Sequence, residues 1–345
     1  MFGTFRFILA AMVVIQHFGM VLGPIGALAV QAFFCLSGFL MTLLMSSTYK
    51  GRPGAFALNR FLRLYPTYWA VMAITAVLLI WGFPPSHSLI GIPEMPALVL
   101  DALYINHRLD TQLVLTGWAV TNEILFYILI GFGISKTFVR SAIWLIASAV
   151  FALGVMVFSP LDSELRYFSP LAASLPFSMG ATAYHLHLFF PRHRRDQVIK
   201  IAVASMIAIT IGVMIWRPTE FSALFLMTMY AFLAVTTALV VALYFVERSP
   251  MKKFDDQIGK LSYPLYLVHY TAGMLTLGLL GHAATFETLG IVVLLASILL
   301  SVGIVLLVDN PVEWLRARVR KRGKGRLPPS QLRNPSGALT TGERR

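Results

Sequence analysis

Long apolar runs separated by short basic stretches set the pattern of this chain. A helix needs about 20 mostly apolar residues to cross the hydrocarbon core of a bilayer. Walking the sequence with that ruler yields ten segments, near 5–23, 27–47, 66–83, 117–135, 141–158, 168–190, 198–216, 221–246, 262–280 and 287–308. The pattern predicts an all-α membrane protein, a single bundle of about ten transmembrane helices. Residues 1–315 read as the transmembrane domain. Residues 316–345 are basic, then rich in Pro, Gly, Ser and Thr, and read as a disordered cytoplasmic tail. The stretch Phe7 to Leu22 has the look of a signal-peptide core, with Ala27-Leu28-Ala29 after it, but it carries Gln16 and His17. It reads as an uncleaved first helix.

Composition sharpens this picture. Of the residues, 57% are hydrophobic and 12% charged, about half the charged share of a soluble domain. Such a chain has too little polar surface to cover itself, so the lipid bilayer serves as its solvent. Lysine and arginine then give the orientation. With both termini cytoplasmic, only Arg108, Arg166 and Arg217 of the 28 basic residues fall outside. The net charge of +13 therefore belongs to loops facing anionic lipid and calls for no nucleic acid partner. A single cysteine, Cys35, lies in an apolar run, where it packs and forms no intrachain disulfide. No paired-histidine motif, Walker loop or glycine-rich dinucleotide loop occurs, and no metal site stands out.

Ionisable residues at membrane depth are costly and face the protein interior, so they are the candidates for chemistry. Arg6 and His17 share the first helix; eleven residues are three turns plus roughly 20°, which puts them on one face, about 16 Å apart along the axis. Glu123 in the fourth segment lies at a depth similar to that of His17, and a carboxylate beside an imidazole would orient a general base. Arg60 and Arg63, three apart at the cytoplasmic start of the third segment, share a face and offer two guanidinium forks suited to phosphate. His269 in the ninth segment is placed to line the path of a cofactor arm. Anchoring is the plainer reading of each arginine taken alone, whereas His269 reads equally as a packed core residue, and His17, whose ring nitrogens need partners on an apolar helix, reads first as functional. The long stretch from Pro84 to Thr116 is either a lid over an outward cleft or simple connection.

Several motifs, taken in order, resemble the acyltransferase-3 family of integral membrane O-acyltransferases. Arg6 and His17 match its Arg-x10-His signature. Phe33-Phe34-Cys35-Leu36-Ser37-Gly38-Phe39, Arg60-x-x-Arg63-x-x-Pro66, Trp118 to Tyr127 and Leu261 to His269 resemble its later elements. The resemblance implies transfer of an acyl group, most often acetyl, from acetyl-CoA or another acyl-CoA to a hydroxyl of a lipid-linked or exported glycan, in a bacterial inner membrane, with glycan-assembly proteins as potential partners. The expected catalytic set is His17, Glu123 and Arg6; the expected cofactor-binding set is Arg60, Arg63 and His269; no metal is required. A rival reading from another class is a proton-coupled transporter of glycan or acylated small molecules, with the same residues forming a proton relay.

Overall fold

A computed structural model describes residues 2–18, 23–103, 111–158, 164–246, 251–280 and 286–321. Arg108, Arg248 and the tail from residue 322 onward lie outside the described residues. The helices are α1 (Phe2–Phe18), α2 (Ile25–Ser46), α3 (Pro53–Ile80), α4 (Ala97–Ala102), α5 (Gly117–Gly131), α6 (Phe138–Phe158), α7 (Pro170–Leu186), α8 (Arg195–Trp216), α9 (Ala223–Tyr244), α10 (Lys252–Leu280), α11 (Phe286–Ile304) and α12 (Asn310–Lys321). No strand occurs among the described residues; a lone bridge joins Ile90 and Gln112. Each apolar segment found in the sequence coincides with one of these helices. Six stretches of helix are long and apolar enough to cross a membrane. The outward face of α6 carries exposed Ile143, Ile146, Val150, Leu153 and Val157, an apolar stripe at helical spacing that water would not tolerate but lipid does.

Two boundaries differ from the sequence reading for one physical reason. The apolar ruler measures the part of a helix that suits hydrocarbon, whereas backbone hydrogen bonding continues into polar surroundings. So α3 begins at Pro53, where a proline at the first position forfeits no hydrogen bond, and α10 begins at Lys252. Pro66 and Pro264 lie inside these helices. Similarly, the tail expected from Arg316 is helical as far as Lys321.

Helix ends are satisfied by neighbours. Asp255 of α10 caps α1: its carboxylate accepts from the Gly3 and Thr4 amides at 3.1 and 2.8 Å and from the Thr4 hydroxyl at 2.8 Å. The side-chain oxygen of Gln16 accepts from the Gly26 and Ala27 amides at 2.5 and 3.2 Å, capping α2 in place of Pro24, which offers no side-chain cap. Ser169 and Ser222 cap α7 and α9 through their own hydroxyls.

Close backbone approach locks the centre. A methyl group on Gly38 would sit 2.1 Å from the Phe177 carbonyl oxygen, and one on Gly180 would sit 1.9 Å from that of Cys35. Thus α2 and α7 cross on two glycines, the packing that lets membrane helices gain dispersion contacts where no hydrophobic drive exists between them. Gly3 and Gly259 bring α1 against α10 in the same way. The consequence is that α1, α2, α3, α5 and α10 surround a common interior.

Candidate active site: three hollows in line

The interior holds three hollows that share walls. A vestibule of about 730 Å³ opens at the end of the bundle that carries Arg6, Arg60 and Arg63. A middle pocket of about 100 Å³ shares those three arginines, Leu40 and Met41 with it. A far cavity of about 520 Å³ lies beyond, and among the described residues only Val30 and Tyr266 line both it and the middle pocket.

His17 faces the far cavity, and its ring is exposed there. Its Nδ1 lies 3.0 Å from the Tyr270 hydroxyl. The rings of His17 and His269 stack at 5.3 Å and 15°. His269 itself is fully buried. Its Nδ1 lies 2.8 Å from the Tyr266 carbonyl oxygen. A carbonyl only accepts, so this nitrogen carries the proton and donates. The other nitrogen, Nε2, is buried without a hydrogen-bond partner. His269 lines none of the three hollows; it packs against the ring of His17.

Glu123 has a different neighbourhood from the one that matched depths indicated. Its Oε1 accepts from the Ser37 hydroxyl at 2.5 Å. It lines the middle pocket together with Tyr127, one turn further along α5, and with Arg6 and Arg60. His17 does not line that pocket. The described contacts of Glu123 and His17 are thus separate: Glu123 meets Ser37, and His17 meets Tyr270 and His269. Two helices can carry residues at the same depth on faces that never meet, and here the neighbour of α1 at that depth is α10.

The arginine pair is also more differentiated than its spacing implied. Both residues lie inside α3 rather than at its start, because the helix begins at Pro53. Arg60 donates to Asn59 Oδ1 at 2.6 Å and approaches the Met41 sulfur at 3.6 Å, while its Nε is buried without a partner. Arg63 is paired with Asp309 at 3.3 Å and lies over the Tyr263 ring. Asp309 also accepts from Thr67 at 2.5 Å. One guanidinium is thus held by a carboxylate, and the other retains donor capacity toward the middle pocket and the vestibule.

The described part of the stretch from Pro84 to Thr116 covers the far cavity. Ser86 donates to the Tyr270 carbonyl at 2.7 Å. Asp101 is buried and accepts from the Tyr68 hydroxyl at 2.7 Å and the Leu113 amide at 3.0 Å. His87, Leu89, Gln112, Leu115 and Thr116 contribute to the cavity lining. The described part of this stretch is a cover and not plain connection.

Sequence reasoning missed Tyr270, Tyr127, Asp309 and the bond from Ser37 to Glu123. Tyr270 adjoins His269, and that adjacency was the available signal. Ser37 lay within a quoted motif but had no assigned partner. Among the described residues, no group of three His, Cys, Asp or Glu side chains is placed to hold a metal ion.

The sequence matches a family model described as an acyltransferase domain over residues 3–309. No curated protein matches the chain, and no solved structure does.

Proposed function

Because the chain belongs to the acyltransferase-3 family of membrane acyltransferases, we propose that it moves an acyl group, acetyl first among them, from acyl-CoA to a hydroxyl of a cell-surface or exported glycan. The proposal puts both termini on the cytoplasmic side of a bacterial inner membrane, with ten helices spanning it. The observation that carries the reading is the line of three hollows: a basic vestibule at one end, an accessible imidazole in the far cavity, and between them a pocket whose boundary with that cavity is shared by two side chains.

In this reading acyl-CoA enters the vestibule from the cytoplasm, and its thioester end reaches through the middle pocket toward Val30 and Tyr266. The acceptor hydroxyl occupies the far cavity beside His17. Tyr270 accepts from His17 Nδ1–H, which leaves Nε2 free to take a proton. The hydroxyl oxygen attacks the thioester carbonyl carbon as its proton passes to Nε2. The C–O ester bond forms, the C–S bond breaks, and the proton passes on to the sulfur, so that CoA leaves as the thiol. Arg6 and Arg60 line the middle pocket with Glu123, and their charge receives the diphosphate of the donor while its pantetheine arm extends toward His17. Arg63, tied to Asp309, shapes the mouth of that pocket. His269 keeps the ring of His17 in place. The step needs no metal.

The test is transfer of label from radiolabelled acetyl-CoA to host glycan in membranes holding the wild type or His17→Ala. Label with the wild type and a loss of about 10²-fold or more in the variant, at equal insertion, is the expected result. Substantial transfer by His17→Ala would remove His17 as the base. Acetyl-CoA left intact by the wild type would sink the donor assignment and favour a transporter, which consumes none.

A further inference from the structure

The last described helix, α12, borders the vestibule. It follows a π-helical turn, Val305–Asp309, and carries Glu313, Arg316 and Arg320 on one face. Both arginines donate to the same carboxylate: Arg316 Nη1 to Glu313 Oε2 at 2.5 Å, and Arg320 Nη2 to Glu313 Oε1. The side chain of Arg316 is only 12% exposed, and its Nε is buried with no partner.

The carboxylates lining the vestibule are largely committed. Asp309 is engaged by Arg63 and Thr67, and Asp255 caps α1. Glu313 faces two guanidinium groups with one charge. Burial first, and then the nearby Arg63, lowers Arg316 to about 10, so an added anion beside it would relieve a cost already present. A large hollow with a surplus of guanidinium donors is an anion site.

Position along the hollows identifies which anion. Arg6, Arg60 and Arg63 line both the middle pocket and the vestibule, whereas Arg316 and Arg320 line the vestibule and not the middle pocket. The α12 arginines are therefore further from where a thioester would react. Of the three phosphates of coenzyme A, the one on the 3′ oxygen of the ribose lies farthest along the molecule from the thioester. Building on the acyl-CoA reading above, we propose that Arg316 and Arg320 bind the 3′-phosphate of coenzyme A, with Glu313 holding the pair in place while the site is empty. On binding, the phosphate replaces the Glu313 carboxylate as acceptor. Arg60 and Arg6 are then left to the diphosphate.

Calorimetric titration of the purified full-length protein in nanodiscs, with coenzyme A and with 3′-dephospho-coenzyme A, tests this. The wild type is expected to bind coenzyme A about tenfold or more tightly than the dephospho form. In the double variant Arg316→Ala, Arg320→Ala this preference shrinks to within about twofold, while affinity for dephospho-coenzyme A is retained, which shows that the fold survives. Glu313→Gln keeps the preference, because the arginines remain. Equal binding of the two ligands by the wild type overturns the proposal without using any variant, and so does a preference that persists in the double variant. Absence of binding by both ligands would defeat the acyl-CoA reading itself, an outcome distinct from equal binding.

Discussion

Replacing Tyr270 with phenylalanine removes a single oxygen, the one that lies 3.0 Å from His17 Nδ1. The ring that remains still packs edge-on to Phe18 at 5.6 Å and to His87 at 5.8 Å, so the change isolates the hydrogen bond. A hydrogen bond between neutral groups contributes about 0.5–1.5 kcal/mol net. If that energy serves to hold the imidazole in its reactive orientation and tautomer, its loss lowers kcat about two- to thirteenfold. Removing the base itself, as in His17→Ala, costs about 10²–10⁴-fold. Single-turnover acyl transfer at saturating acyl-CoA should place Tyr270→Phe between the wild type and His17→Ala, with an unchanged KM for acyl-CoA. A variant as inactive as His17→Ala would mean that the phenol carries the proton. A variant indistinguishable from the wild type would mean that the hydroxyl does not position the ring.

Two further predictions concern the frame. Gly180→Ala puts a methyl group 1.9 Å from the Cys35 carbonyl oxygen; since that oxygen is backbone, α2 and α7 must part, at about 1–3 kcal/mol or more. Thermal unfolding in detergent should show a clear drop, whereas Gly154→Ala, with open space around the added carbon, should show none; equal midpoints for the two variants would refute the packing argument. Asp255 makes stability depend on pH. Burial alone would raise its pKa, but the bonds from Thr4 and Gly3 outweigh burial and hold it below the usual value. Its contribution is therefore complete above the unfolded carboxylate value of about 4 and is lost as pH falls through the lower folded value. The unfolding midpoint of the wild type should exceed that of Asp255→Asn by a constant margin from neutral pH down to that range and by less below it; a margin unaffected by acid would contradict the capping role.

The fold was legible because its main determinant is one-dimensional. Apolar length located every long helix, from Phe2–Phe18 to Phe286–Ile304. The polar extensions of α3 and α10 escaped because hydropathy reports the solvent a residue suits, not whether its amide is bonded. The site was legible in its members but not in its pairings. His17 and Glu123 stood out as polar residues in apolar runs, and their depths agreed. Depth is one coordinate, however, and contact also needs the azimuth of each helix and the order of helices around the bundle. Tyr270 is separated from His17 by 253 positions, and nothing in periodicity joins them. Asp309 was likewise visible as a residue, but its hold on Arg63 and Thr67 depends on the π-helical turn that re-aims the chain after α11.

Among the described residues, Val30 and Tyr266 alone line both the middle pocket and the far cavity. A membrane enzyme that joins a donor from one compartment to an acceptor in another must let two molecules touch without letting ions through. In the acyl-transfer reading proposed above, Val30 and Tyr266 would form the insulation between the two molecules. Tyr266 is fastened by its hydroxyl to the Thr116 carbonyl at 3.4 Å and by its ring to Phe33, so the septum rests on the cover as well as on the bundle. On that reading, trimming either residue to accommodate a bulkier acyl chain would also widen the passage between the two hollows, and a broader donor range would come with a greater leak of protons. The breadth of donors that such an enzyme can evolve to use is therefore bounded by the electrical tightness of the membrane as well as by the shape of the pocket.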